Sequence, residues 1–450
     1  MKKNHIASLE SKLKGIAQFV IAEAARLGAT DADLSLSAGS SVETEVRLAQ
    51  VETLEGAQSL ELSFRAFVGK GSASMSTTDL RRRALTKLVR ETIAMAREAQ
   101  PDEFAGLPDG KYLARNVKPI DYMFDDALAS LPVEKKIEMA IALEKAALAA
   151  DPRISVGRST GFSDRNGYFL YANSRGFLEG YASSYCTIST QVVAKDDNGM
   201  QTGGWSSTSR HLAGLQSPEV VGRIAAERAL RQLNPLPVSS QEVPVVFEPT
   251  MASRLIGQFV GAASGNAIYQ KRSFLVGKLG TKVAAKNVNI IDDGLIPGAL
   301  GSRPFDGEGL PTSRRVLVGK GELKTYLVSS YAARKLGCEP NGGGTTNLYM
   351  ESGEFSPEQI IASVENGLYL TSVSGPGFNS VTGDYSMGAT GIWIKDGKLT
   401  HAVEEITIAG NILTMFENIE MVGNDLVFRS SVNAPTIKIA RMMVAGKAQG

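Results

Sequence analysis

Metal, nucleophile or acid–base chemistry in this 450-residue chain would have to come from a small set of side chains. The only histidines are His5, His211 and His401, 206 and 190 residues apart, and the two cysteines, Cys186 and Cys338, are 152 apart. A catalytic zinc takes about three protein ligands plus an open position for water, and a helix commonly supplies two of them from one face. No His-Glu pair occurs anywhere. Distant residues can meet in a fold, but the spacing gives no reason to expect a metal, and no cofactor is expected. Structural or solvated roles are expected for all three histidines. His5 sits near a terminus, His211 follows the polar stretch Trp205-Ser-Ser-Thr-Ser-Arg210, and His401 opens a strand after the turn Lys395–Lys398. Asp292-Asp293, Asp306 with Glu308, and Glu404-Glu405 could bind a hard cation, although such pairs more often mark solvated turns and strand ends. Cys186, in Tyr185-Cys-Thr-Ile-Ser, fits an alternating strand as a small buried hydrophobe. Cys338 lies just past Leu336-Gly337, where a glycine-capped helix end is expected. Neither a G-x-S-x-G nucleophile elbow nor a G-x-x-x-x-G-K-[ST] phosphate loop is present.

The densest polar glycine run is Gly375-Pro-Gly-Phe-Asn-Ser-Val-Thr-Gly-Asp-Tyr-Ser-Met-Gly-Ala-Thr-Gly391, which leads into Ile392-Trp393-Ile394. Glycines at that density let backbone approach backbone or ligand. A polar loop entering a strand suits an extended peptide or an oligomer interface, both of which use exposed N–H and C=O groups. The plainer reading is a tight loop with no ligand.

Around this loop lie Tyr269-Gln-Lys-Arg-Ser-Phe-Leu275, the stretch Phe305–Leu327 running into Tyr331-Ala-Ala-Arg-Lys-Leu-Gly337, Val403–Asn411 and Val422-Gly-Asn-Asp-Leu426. In this order the segments closely resemble the TldD/PmbA family, once named modulators of DNA gyrase. The resemblance covers the second half, with a looser fit before it. The family divides into two branches. TldD looks like a zinc metallopeptidase with H-E-x-x-x-H on a helix and a further cysteine ligand near the C-terminus. PmbA, also called TldE, keeps the scaffold without those ligands. An ungapped comparison anchored on Ser273–Gly280 places the zinc-motif positions at Ile256, Gly257 and Gly261, and Arg429-Ser-Ser-Val-Asn-Ala434 stands near the expected cysteine. The chain therefore resembles the PmbA/TldE branch.

That resemblance implies a non-catalytic subunit that pairs with a zinc-bearing TldD-like paralogue, or with itself as a homodimer, and holds unfolded or extended peptide for proteolysis. Gly375, Asn379, Thr382, Gly383 and Asp384 are the candidates for lining the peptide cleft, beside an edge strand that would bond the peptide backbone. Two other readings stay open. One is an autonomous peptidase whose site is built from carboxylates or a distant His and Cys. The other is a homo-oligomeric protein that binds peptides without cleaving them.

The elements that must position these residues read as α+β in two domains. Residues 1–235 form a mixed helix and strand domain, and residues 236–450 a domain dominated by antiparallel sheet. Helices are expected over Ala7–Leu27, Thr78–Ala99 (entered through Thr77-Thr78-Asp79 as N-cap), Val133–Ala150 and Pro218–Arg231. Strands are expected at Asp33–Ser37, Ser59–Phe67, Gly167–Tyr171 and Tyr181–Val193, where apolar and polar residues alternate. The boundary is placed at Asn234-Pro-Leu-Pro237. Beyond it come the strand Val243–Phe247, the Gly- and Ala-rich helix Thr250–Gly261, a hairpin turning at Gly319-Lys-Gly321, and a helix over Ser329–Leu336. Val-Gly-Lys-Gly also occurs at Val68–Gly71, which a recurrent turn explains. With 48 basic and 47 acidic side chains, the net charge is +1. That balance is not that of a nucleic-acid binder, and Arg81-Arg-Arg83 reads as a solvated helix face. No export signal or membrane span is visible, so a cytoplasmic protein is expected.

Overall fold

The computed structural model describes residues 3–446, apart from the side chains of residues 3–5, 156 and 158. Helix α1 (Lys3–Arg26) precedes strands β1 (Asp31–Arg47), β2 (Gln50–Val68) and β3 (Gly71–Thr77), followed by α2 (Arg82–Glu98). Then come α3 (Asp126–Ala129), α4 (Val133–Ala149), β4 (Ile154–Asn173), β5 (Leu178–Asp196), β6 (Gly199–Ser209) and α5 (Pro218–Leu230). The six strands form one antiparallel sheet in the order β3-β2-β1-β4-β5-β6. Leu34 stands opposite Phe64 and Ala172, and Leu36 opposite Leu62 and Leu170. The even-numbered residues of β1 thus share one apolar face with their cross-strand partners. Leu13, Ala17, Val20 and Ala24 of α1 and Leu85, Val89, Ile93 and Ala96 of α2 are buried against that face, each at the helical repeat that brings side chains to one side. Burying each of the larger side chains stabilises the fold by about 1.5–3 kcal/mol.

α2 begins at Arg82 rather than at Thr78, and no side chain caps it. Thr77 Oγ1 instead accepts the Asp79 N–H, and the Asp79 carboxylate accepts the Arg81 N–H and Nε. These local bonds hold a turn ahead of the helix and compete with capping.

The second part of the chain starts with β7 (Gln241–Phe247), α6 (Pro249–Ala262) and α7 (Gly265–Tyr269). It continues through β8 (Ile290–Asp293), β9 (Arg314–Gly319), β10 (Glu322–Leu323), α8 (Ser330–Leu336) and β11 (Leu348–Met350). Last come α9 (Pro357–Ala362), β12 (Asn366–Ser374), β13 (Asp384–Lys395), β14 (Lys398–Asn411), α10 (Ile412–Glu417), β15 (Ile419–Val422), β16 (Val432–Asn433) and β17 (Ile437–Ala445). The fold is α+β. One sheet runs β10-β9-β8-β11-β16 and the other β14-β13-β12-β7-β17-β15. Because β14 also pairs with β17, strands β7, β12, β13, β14 and β17 close into a ring. All its pairings are antiparallel except β7–β12. α6 packs between this ring and the smaller sheet, touching β7, β12, β11 and β16.

Closure overturns one expectation. β13 is bonded on both sides, to β12 and β14, so the strand entered from the Gly375 loop is not an edge open to a peptide. The loop is also shorter than its glycine content suggests, since β13 already begins at Asp384. Tyr385, Met387 and Ala389 are buried in alternation, the two-residue period of a strand.

The two Val-Gly-Lys-Gly tetrapeptides both turn hairpins, in different registers. Val68 pairs with Gly71, so Gly69-Lys70 makes one turn; Gly319 pairs with Glu322, so Lys320-Gly321 makes the other. Lys320 and Gly321 both have positive φ, 51° and 79°, as a primed two-residue hairpin turn requires.

The second face of the six-stranded sheet meets the later part of the chain. The Phe305 ring lies 5.1 Å from Phe177, 5.5 Å from Tyr181 and 6.4 Å from Phe169, centroid to centroid. Arg210, which ends the polar stretch after Trp205, donates to the carbonyls of Ala299, Leu300 and Ser302 at 2.8–3.2 Å. No helix among the described residues is long and apolar enough to cross a membrane.

Candidate functional site

Where β6, α5, the start of α6, the β12–β13 pair and residues 427–434 converge, they line an open cavity of about 820 Å³. α6 begins with Pro249 at its first position, where the missing N–H costs nothing. Glu248, just before it, is almost fully buried. Its carboxylate accepts from Arg228 at 2.5 and 3.2 Å, from Arg231 at 3.0 Å and from Thr250 Oγ1 at 2.6 Å. Trp205 stands in the wall with its indole N–H on Gln216 Oε1 at 3.0 Å. Two guanidinium groups lie against its ring, Arg228 at 5.3 Å and Arg429 at 4.6 Å from the centroid. Such contacts are attractive because the ring face is electron-rich. Among the described residues no carboxylate pairs with Arg429, although its backbone N–H is held by Asn433 Oδ1 at 2.8 Å. Burial first, and then the nearby Arg228 charge, push the Arg429 guanidinium below its usual value. Arg429 still reaches solvent at the cavity mouth, so that burial is partial and the group remains a cation.

Ile256, Gly257 and Gly261 of α6 do not line this cavity. Ile256 is fully buried in the core. A Cβ on Gly257 would sit 3.9 Å from Val432 Cγ1, and one on Gly261 would meet nothing within 4 Å. Of the two glycines, only Gly257 thus lies beside the segment Arg429–Ala434. None of the three residues carries a nitrogen, oxygen or sulfur ligand, so this set does not fit zinc. Among the described residues no group of three or more His, Cys, Asp or Glu is placed to hold a metal.

The other candidates are dispersed and locally engaged. His211 is half-buried, 3.7 Å from Asp125, with the Tyr122 ring at its edge. His401 lies within β14, its Nδ1 3.2 Å from Thr400 Oγ1, and burial lowers its pKa. The side chain of His5 lies outside the described residues. Asp292 is fully buried between Arg315 Nη2 and the Thr346 N–H, both at 2.5 Å. Asp293 accepts the Leu295 N–H, and Asp306 accepts those of Glu308 and Leu310. Burial raises the Asp306 pKa. Glu308 accepts the Ser330 N–H and Glu404 the Gln201 amide. Glu405 has a left-handed φ of 53°. Burial pushes the Cys186 thiol up to about 12 and also raises that of Cys338, which disfavours the thiolate a nucleophile needs.

The loop candidates bond mainly to one another. Asn379 Oδ1 accepts the N–H groups of Val381 and Thr382, Thr382 Oγ1 donates to Asp384 at 2.6 Å, and Asn411 holds the Thr382 carbonyl. Gly375 and Gly383 have left-handed φ of 88° and 82°. None of the five lines the 820 Å³ cavity. Sequence reading missed Trp205, Arg228, Glu248 and Arg429 as a group. Their only local trace is the aromatic inside Trp205–Arg210, because the four come from four separate places in the chain: β6, α5, the start of α6 and the segment before β16.

Models of three successive domains match the chain: PmbA/TldA metallopeptidase domain 1 over residues 32–96, the central domain over 126–233 and the C-terminal domain over 240–446. Metalloprotease PmbA of Escherichia coli O157:H7 is 34% identical over 418 residues, 92% of each chain. The PmbA homologue of Haemophilus influenzae is 33% identical over 442 residues, 97% of each. Among solved structures, a Bacteroides thetaiotaomicron protein described as a modulator of DNA gyrase superposes with a TM-score of 0.91 at 32% identity, covering 96% of this chain and 99% of that one. A similarly described Thermotoga maritima protein gives 0.85 at 25% identity, covering 96% and 100%. With the domain order, the near-complete coverage and the shared fold all in agreement, the chain belongs to the PmbA/TldD family of metallopeptidase-related proteins.

Proposed function

We propose that this chain is a PmbA/TldE-type subunit that holds unfolded or extended peptide for a zinc-bearing TldD-like paralogue and does not itself hydrolyse it. The observation that carries this reading is the set Ile256, Gly257 and Gly261 on α6, whose side chains offer no donor atom, with Gly257 beside Val432 of a segment, Arg429–Ala434, that holds no cysteine. The adjoining cavity is large enough for several residues of a peptide, within the ~300–1,000 Å³ usual for ligand sites. Its walls offer hydroxyls, a tryptophan and two arginines. Together these suit binding, while among the described residues no histidine, aspartate or glutamate lines it to act on a water.

The test is elemental mass spectrometry and a peptidase assay on the untagged chain, alone and mixed with a TldD-like relative. The expected result is a folded, zinc-free chain that cleaves nothing alone and supports cleavage in the mixture. Near-stoichiometric zinc with peptidase activity in the chain alone would replace this reading with an autonomous enzyme.

A further inference from the structure

We infer that the cavity beside Trp205 captures the terminal carboxylate of an extended peptide, with Arg429 as its counter-ion. This rests on the peptide-holding reading above and names the end of the peptide that is recognised.

The argument is one of charge. Among the described residues, the only ionisable groups on the cavity wall are Arg228 and Arg429. Immediately behind the wall, Arg228 and Arg231 share the single carboxylate of Glu248. Asp425, held by Thr436, is a second carboxylate whose charge reaches Arg429 without pairing with it, so three guanidiniums face two carboxylates and the partly desolvated site keeps a net positive charge. Arg228 is pinned by both Glu248 oxygens. Arg429 has no such partner among the described residues, and stacking on Trp205 fixes its position without using its N–H donors. A planar fork with free donors matches a carboxylate bidentately.

The rest of the wall selects the class of anion. Thr250, Ser253 and Ser430 supply hydroxyls, while Met251, Val432 and Ala434 supply apolar surface. Among the described residues the wall has no lysine and no second unpaired cation, so a monoanion attached to an organic chain fits better than a free phosphate dianion.

The experiment is a fluorescence titration. The chain has two tryptophans, and Trp393 is buried in the core, so a ligand-dependent signal reports on Trp205. Short unstructured peptides are compared with a free C-terminal acid and as C-terminal amides, with acetate and inorganic phosphate as competitors. A charge-assisted hydrogen bond is worth about 1.5–3 kcal/mol, so the acid should bind at least roughly tenfold more tightly than the amide. R429Q, which removes the stacking on Trp205 but no side-chain hydrogen bond among the described residues, should melt close to the parent and bind acid and amide alike. R429K should recover part of the preference.

Equal binding of acid and amide by the parent would overturn the carboxylate assignment and leave the peptide-holding reading standing. Binding of neither would overturn both. Unchanged discrimination in R429Q would remove Arg429 from the site, and phosphate competing as well as the peptide acid would make it a small-anion site instead.

Discussion

Lys136 of α4 and Asp164 of β4 form an ion pair at 2.5 Å with only 6% and 2% of their side chains exposed. Burial is the larger influence on Asp164 and raises its pKa, while Lys136 opposes that rise. The folded state therefore holds the Asp164 proton more firmly than the unfolded chain does. The contribution of this carboxyl to stability falls as pH climbs from the unfolded value through the folded one. Replacing Lys136 with Met leaves a buried carboxylate unpaired, which typically costs about 3–5 kcal/mol. Denaturant melts of K136M should show that deficit at neutral pH and a smaller one as the pH is lowered, because burial raises the Asp164 pKa and the folded state takes up the proton first. K136M/D164L should recover most of the loss, whereas a deficit independent of pH would mean that lost packing dominates. The helix carrying Lys136 was readable from its periodicity; its partner was not, because the pair depends on how α4 lies across β4.

At the scale of elements, the tip of the β1–β2 hairpin breaks a local rule. Arg47 pairs with Gln50, so Leu48 and Ala49 form the whole turn, with φ of 52° and 58°. Each such non-glycine residue costs roughly 1–2 kcal/mol. The buried Glu144 of α4 offsets part of it, with its two oxygens accepting the Leu48 and Ala49 N–H groups at 2.9 and 2.6 Å. The double substitution L48N/A49G should stabilise the protein by about 1 kcal/mol or more, since Asn-Gly is the preferred pair for this turn. E144A should destabilise it by about 2 kcal/mol. Thermal melts of the two variants check both signs, and a destabilised L48N/A49G would mean that the exposed Leu48 side chain makes contacts worth more than the strain. This turn also explains where sequence reading stops. Alternation exposed Asp33–Ser37 and Ser59–Phe67 as strands, and both proved to be the regular parts of much longer ones. Leu-Ala carries no turn signal, so the hairpin itself stayed hidden. In β13 the reverse happened, with glycine density concealing a strand. Closure of the barrel through β14–β17 depends on pairings across more than thirty residues, which no local pattern encodes.

For the whole molecule, the cavity matters because its walls come from both parts of the chain: β6 and α5 on one side, α6, β12 and residues 427–434 on the other. Anything that sets their relative position sets the geometry of the site. The Phe305 contacts are apolar and tolerant of small shifts, while the arginine contacts are directional. Arg210 is 6% exposed and spends its guanidinium on three carbonyls of residues 299–302, with no carboxylate pairing among the described residues. From the other direction, Arg334 of α8 donates to the carbonyls of Phe104, Gly106 and Leu107 at 2.6–3.3 Å. R210M should keep much of the packing and remove the donors, leaving buried carbonyls unsatisfied at a cost on the order of 3 kcal/mol. Because that loss falls at a junction, it should not spread evenly. Hydrogen exchange should quicken around residues 209–211 and 299–302 while the barrel strands stay protected. Arg210 does not line the cavity, yet peptide-acid binding monitored through Trp205 should weaken several-fold in R210M, because the two walls lose their fixed separation. Loosened exchange with unchanged binding would show that Glu248, which joins α5 to α6 through Arg228 and Arg231, holds the cavity without the clasp.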